Sequence, residues 1–207
     1  MRLHENHQTG PNAMPDLNPT DFPVIDAIKR RYSAYQFADK PVETDKLKSL
    51  FEAARWAASS FNEQPWRFIV ATKQDRAEYD KALGCLVEAN QAWAQAAPVL
   101  VLTAAKQDFT YNGNPNRVAQ HDLGQAAANM ALQAAALGLV IHQMAGIEQD
   151  KVRSTYHLPD GFTAETAIAI GYPAEGELND AESKARQRKA FDDFVFASGW
   201  GKASGLF

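Results

Sequence analysis

The chain opens on a polar stretch without period and then alternates short apolar runs with amphipathic segments. Residues Met1 to about Phe22 hold three prolines and no recurrent apolar position, the pattern of a flexible arm or of a segment that wraps a partner. We read residues 1–21 as that arm and 22–207 as one folded domain. Phe22, Ile25 and Ile28 then recur at helical spacing and run into Lys29-Arg30-Arg31, whose charge suits a helix C-terminus. Thr44 is placed to cap a second helix, with Leu47, Leu50, Phe51 and Ala54 on one face, and Ser59-Ser60 opens a loop.

Two apolar runs, Arg67 to Ala71 and Pro98 to Leu102, are rich in β-branched residues and read as buried strands with helical sequence between them. From Asn116 to Gly138 the chain is dense in alanine and leucine with no interior proline, which predicts the longest helix, closed by Gly138 and running through the centre of the molecule. Its alanine-rich face suits close helix packing and a dimer interface. Thr166 to Pro173 reads as a late strand ended by Gly171 and Pro173, followed by a polar tail, Glu175 to Phe207, with basic residues gathered from Lys184 to Lys189. Many helices and few strands indicate an α+β fold, helices around a small sheet.

With 45% of 207 positions hydrophobic, the chain can bury one sizeable core, and two independent cores would each be small. A net charge of -4 argues against general nucleic-acid binding, which needs a basic surface. Cys85 is the single cysteine and reads as a small buried apolar residue. The N-terminus has no continuous apolar stretch, and no later run reaches the roughly 18 residues that span a bilayer, so a cytoplasmic protein without membrane contact is expected.

The sequence holds no GxGxxG fingerprint, P-loop, GxSxG elbow or HExxH, and His121, His142 and His157 have no metal-ligand spacing. Three segments do carry candidate chemistry. In Arg30-Arg31-Tyr32-Ser33-Ala34-Tyr35-Gln36-Phe37, a guanidinium fork and a hydroxyl can meet a terminal phosphate, although an exposed arginine at a helix end is the plainer account. In Ala58 to Phe68, the hydroxyls of Ser59 and Ser60 and the amides of Asn62 and Gln64 supply the mixed donors and acceptors that a flavin pyrimidine ring needs; a turn over a buried tryptophan is the alternative. Arg186-Gln187-Arg188-Lys189 suits an anion or is a solvated charge run.

Arg31-Tyr32-Ser33 with Phe37, then Ser59-Ser60-Phe61-Asn62-Glu63-Gln64-Pro65-Trp66, then Leu137-Gly138-Leu139, Gly146 and Ile168 to Pro173, stand in the order seen in nitroreductase-like FMN-dependent oxidoreductases. The chain resembles that family from about Asp21 to about Val195, most specifically through Ser-Ser-x-Asn-x-Gln-Pro-Trp. The resemblance implies an FMN-binding α/β/α sandwich with a small mixed sheet surrounded by helices, and a homodimer with FMN at the subunit interface. By position, Arg31, Tyr32, Ser33 and Tyr35 would line the ribityl phosphate and adjoining flavin, and Arg186 and Arg188 would complete the phosphate site. Ser59, Ser60 and Asn62, with Gln64 beside them, would reach the flavin of the other protomer. Gln143, Met144, Ala145 and Gly146 would lie against the isoalloxazine, Gly146 admitting close backbone approach, and Asn90 matches a flavin-side amide.

The implied activity passes hydride from NADPH or NADH through flavin N5 to a small electron-poor acceptor such as a nitroaromatic or quinone, with ping-pong kinetics and no protein acid or base. Tyr35 stands where arginine or lysine is common, Gln143 where proline is often found and Ala145 where some nitroreductases carry glutamate, changes that bear on nicotinamide orientation and acceptor choice. Phe109 to Arg117 is a candidate lid or a plain surface loop. Other functions compatible with the sequence are reduction of a specific enone or aldehyde, a flavin-binding or flavin-consuming module without nicotinamide turnover, and a helical interaction protein without cofactor.

Overall fold

The computed structural model describes residues 17–176, 178–184 and 186–207, so most of the arm expected over 1–21 lies outside the described residues. The chain forms two compact units that meet in sequence between Gly176 and Glu177.

The larger unit is built on a sheet of four strands, β1 (Trp66–Thr72), β2 (Val99–Lys106), β3 (Val140–Met144) and β4 (Phe162–Gly171), in the order β1-β2-β4-β3. Every pairing is antiparallel, which corrects the mixed sheet expected. Helical sequence between two strands is compatible with a parallel crossover or an antiparallel return. Here helices α3 (Arg76–Gly84) and α4 (Glu88–Ala94) return the chain antiparallel. β2 is buried along nearly its whole length, as a central strand covered on both faces must be. Its Val99, Val101 and Ala105 join one core with Ile141, Ile168 and Ile170, Leu50 and Ala54 of α2 (Thr44–Arg55) and the inner face of α5 (Ala119–Ala136). Leu100, Leu102 and Ala104 are equally buried on the other face, the side left to α3 and to α6 (Gln149–Tyr156), which pack on the sheet.

α5 is the longest helix, and nine of its side chains are buried. It stops as its sequence predicts: Gly138 takes φ 73°, Leu139 N–H donates to Ala134 O at 2.8 Å and Gly138 N–H to Ala135 O at 3.3 Å. These two bonds make a Schellman close that only a residue tolerant of left-handed backbone permits cheaply. α2 begins one residue away from the expected cap. Thr44 is its first helical residue, and Glu43 is the N-cap without a side-chain cap bond. The Glu43 carboxylate is engaged elsewhere, accepting from Tyr172 Oη at 2.6 Å, while Lys46 Nζ donates to the same hydroxyl at 2.8 Å and to Leu137 O at 3.2 Å. These bonds tie the start of α2 to the ends of α5 and β4. α1 (Asp26–Arg30) is a short helix with Lys29 and Arg30 in its last turn, and no residue of it is buried. Phe22, Ile25 and Ile28 remain 51%, 62% and 39% exposed.

The smaller unit lies within the polar tail expected from Glu175 to Phe207, and its described residues form local structure of their own. Asn179 and Glu182 cap α7 (Asp180–Lys184) reciprocally, each backbone N–H bonded to the other's side chain at 3.0 and 2.9 Å. Phe191 stacks on Phe207 with centroids 4.1 Å apart, and Phe196 packs against Trp200 beside its bridge to Ala203.

Candidate functional site

Within the larger unit, two groups of the residues singled out in the sequence come together. The first lies at the end of β3. The segment after α1 runs beside β4, with Phe37 bridged to Pro173 and Ala38 N–H bonded to Tyr172 O at 3.0 Å. That course brings the Tyr35 ring edge-on to His142 at 4.5 Å and to Trp93 at 5.0 Å, and Trp93 lies 4.5 Å from His142. His142 Nδ1 bonds Ala34 O at 2.9 Å; a carbonyl only accepts, so Nδ1 carries the proton. Arg31 closes α1 through its N–H to Ala27 O at 3.0 Å, Tyr32 is buried, and Ser33 is half-buried.

Asn90 and Gly146 belong to this group by direct contact. Asn90 Nδ2 donates to Gly146 O at 3.0 Å, Val87 N–H donates to the same oxygen at 3.1 Å, and Trp93 Nε1 donates to Asn90 Oδ1 at 3.3 Å. A Cβ on Gly146 would sit 2.5 Å from Asn90 Nδ2 and 2.7 Å from Val87 Cγ2. Sequence reasoning assigns this glycine to close approach of a ligand; the crowding that requires it comes from the start of α4. Of the neighbouring residues, Met144 is buried and Ala145 exposed, while Gln143 turns toward α5 with Nε2 3.4 Å from Ala127 O.

The second group is the loop Ser59–Gln64. Phe61, Asn62 and Gln64 have φ of 51°, 53° and 51°, three left-handed non-glycine residues in four positions. Each such residue costs about 1–2 kcal/mol, and the conformation persists only where its surroundings over-determine it. Four anchors do so. Ser60 N–H donates to Asp122 Oδ2 in the first turn of α5 at 2.9 Å, and Gln64 N–H donates to Ser59 Oγ at 3.0 Å. Arg67 Nη1 donates to Gln64 O at 3.0 Å. The fourth anchor is Glu63, whose side chain is only 5% exposed: Oε1 receives Lys106 Nζ at 3.1 Å and Thr110 Oγ1 at 2.5 Å, and Oε2 receives Thr110 N–H at 2.8 Å. The Ser60 hydroxyl and the Asn62 side-chain amide make no hydrogen bond among the described residues. Asn62 and Gln64 help line a cavity of about 230 Å³ with Arg55, Trp56 and Ala57.

Burial would raise the Glu63 pKa, yet the bonds from Thr110 and then Lys106 outweigh it and hold the carboxyl below the ordinary glutamate value of 4.5. A carboxyl lowered by folding adds stability above its unfolded pKa and loses it as pH falls through the folded one. Glu63→Gln is therefore expected to be less stable than the parent chain near about pH 7, with the gap closing below about pH 4. Urea melts at the two pH values check this; a gap that stays constant would mean the carboxylate charge is idle.

Sequence reasoning passed over Lys106, Asp122 and Trp93, took Thr110 only as part of the candidate lid Phe109 to Arg117, and weighed His142 only as a metal ligand. Arg186 and Arg188 lie in the smaller unit, where Arg186 N–H donates to Ser183 O at 3.3 Å and Arg188 Nη1 to Gln187 O at 2.7 Å. Among the described residues no helix is long and apolar enough to cross a membrane.

Known proteins give this arrangement a context. A solved structure described as an oxidoreductase containing FMN superposes with a TM-score of 0.81 at 30% identity, covering 90% of this chain and 97% of its own. An NADH dehydrogenase of Thermus thermophilus is 31% identical over 192 residues, 74% of this chain and 89% of that protein. The major NAD(P)H-flavin oxidoreductase of Aliivibrio fischeri is 26% identical over 216 residues, 84% of this chain and 97% of its own. The pattern described as the Nitroreductase family matches residues 28–172, more than half the chain, and with the resemblance in fold it shows that this protein belongs to the nitroreductase family.

Proposed function

We propose that the chain is an FMN-dependent NAD(P)H oxidoreductase that reduces small electron-poor acceptors such as nitroaromatics and quinones by ping-pong turnover. The observation that carries this reading is the strained loop Ser59–Gln64, held from four sides while the Ser60 hydroxyl and the Asn62 amide are left uncommitted. Backbone strain maintained at that cost marks a pre-organised binding segment. A hydroxyl beside amides offers both donors and acceptors, so the donor set fits the pyrimidine edge of a flavin.

FMN, when bound, supplies two-electron chemistry at N5 of its ring. The protein's own residues bind and orient. Ser59, Ser60, Asn62 and Gln64 would meet the ring edge, and Gln143, Ala145 and Gly146, with the backbone of Met144, would lie against its face. Tyr35 and Asn90 would border the same region, both already fixed by Trp93. Arg31, Tyr32 and Ser33 would hold the phosphate through charge-assisted bonds, and the same role is proposed for Arg186 and Arg188 on the sequence resemblance alone. We further propose a homodimer in the cytoplasm, with the Ser59–Gln64 loop serving the partner's flavin. The exposed Ile25, Ile28 and Trp56, the last 75% exposed, support a further apolar contact of that kind.

The test is the visible spectrum of the purified protein before and after anaerobic NADPH or NADH. A flavin band that bleaches on addition is expected. A colourless protein that takes up no added FMN would overturn the reading.

A further inference from the structure

We propose that Phe61, Phe109 and Tyr111 form a preset aromatic ledge that selects flat aromatic acceptors over compact inorganic ones, and that the Glu63–Lys106–Thr110 clasp fixes its position. This rests on the oxidoreductase reading above and names three specificity-determining residues for it.

The three rings form a closed triangle, with centroid separations of 5.6 Å for Phe61 to Phe109, 5.3 Å for Phe61 to Tyr111 and 5.5 Å for Phe109 to Tyr111. They come from two segments far apart in sequence. The interplanar angles of 82°, 42° and 47° keep the rings from stacking flat on one another, so ring faces and edges remain available. Phe61 is 77% and Tyr111 60% exposed, an exposure a chain does not maintain for packing. Phe61 is also one of the left-handed residues, and a bulky side chain in that region is an outlier that local structure must enforce.

The enforcement is visible. Glu63 binds Thr110 through both backbone N–H and hydroxyl, and Lys106 donates to Glu63 and to Thr110 Oγ1 at 2.5 Å. Thr110 sits between the two rings of its own segment. That segment is closed by a tight turn, with Phe109 N–H to Asn114 O at 2.9 Å, Gly113 N–H to Phe109 O at 2.8 Å and a bridge between Asp108 and Pro115. One clasp thus locks both ring-bearing segments, so ordering their rings is not deferred to binding. A ledge of three rings offers far less than the roughly 800 Å² per partner of a stable protein interface. Its extent matches one small aromatic molecule, which the tilted rings would meet through faces and edges together, and its continuity with the strained loop puts that molecule beside the proposed flavin site.

Each aromatic pair contributes about 0.5–1.5 kcal/mol beyond area, a factor of about 2 to 12. The test measures KM for nitrobenzene and for ferricyanide, which cannot stack, on FMN-loaded protein. Tyr111→Ala and Phe109→Leu are expected to raise the ratio of nitrobenzene KM to ferricyanide KM roughly 5-fold each. Lys106→Met, which leaves every ring in place, is expected to raise it in the same direction by loosening the clasp, with both KM values read on protein reconstituted to full FMN occupancy. Ratios unchanged in all three variants would overturn the proposal, as would loss of the dimer on size exclusion without a change in ratio. A wild-type protein without a flavin band would remove the parent reading and this one with it; a normal, NADPH-bleached band with flat ratios would remove this one alone.

Discussion

Asp122→Ala is expected to lower stability by about 1–4 kcal/mol, a sizeable share of the roughly 5–15 kcal/mol that holds a domain of this kind together. The carboxylate is 3% exposed, stands in the first turn of α5 and accepts the Ser60 N–H at 2.9 Å. Removing it leaves that amide without its acceptor at about 1–3 kcal/mol and takes a negative charge from a helix N-terminus, worth roughly another 0.3–1 kcal/mol. The larger consequence falls on the loop. With one of four anchors gone, Phe61, Asn62 and Gln64 have less reason to stay left-handed, and their relaxation moves the Ser60 hydroxyl and Asn62 amide away from the positions proposed to meet a ring edge. FMN affinity should therefore fall about 10-fold or more. Asp122→Asn retains an acceptor oxygen and should recover most of both losses. Urea melts and FMN titrations on the three proteins decide the matter; an alanine variant with parental stability and parental affinity would show that the loop holds its shape without α5.

The elements visible in the sequence are those whose signal is local. α5 is written in its alanine density and its Gly138 stop, and the inner face of α2 in Leu47, Leu50, Phe51 and Ala54. Missed elements have weaker or blended signals. β3 follows α5 after Gly138 and Leu139, so Val140 and Ile141 read as a continuation of the apolar run 137–141 rather than as a new strand. α6 buries only Val152 and shows almost no apolar face. β4 starts four residues before the expected Thr166, because its first half is only partly buried and carries Thr163, Glu165 and Thr166. The site divides in the same way. Ser59 to Trp66 is recognisable as a motif, yet the partners that give the loop its shape lie 43, 47 and 62 residues away in Lys106, Thr110 and Asp122. Nothing in one sequence links Glu63 to Lys106; only folding β1 against β2 places the loop before one strand beside the end of the other.

Replacing Arg186 and Arg188 together by alanine is expected to produce the largest change in cofactor affinity, raising the Kd for FMN by about 10²- to 10⁴-fold. The size follows if each arginine makes the proposed charge-assisted contact to the phosphate dianion, at about 1.5–3 kcal/mol each. Both arginines lie in the smaller unit, and a urea melt of the alanine pair beside the titrations reports whether that unit's fold is spared. Lysine at both positions keeps the charge and loses the fork, and an intermediate Kd is expected. Riboflavin separates a phosphate role from a general one, since it carries the ring and ribityl chain without the phosphate. The alanine pair should collapse the preference for FMN over riboflavin while leaving riboflavin affinity close to parental, and added salt should weaken FMN binding more in the parent than in the variant. Equal losses for both ligands would place the arginines in the architecture rather than at the phosphate, and no loss for either would free the C-terminal segment from any part in cofactor binding.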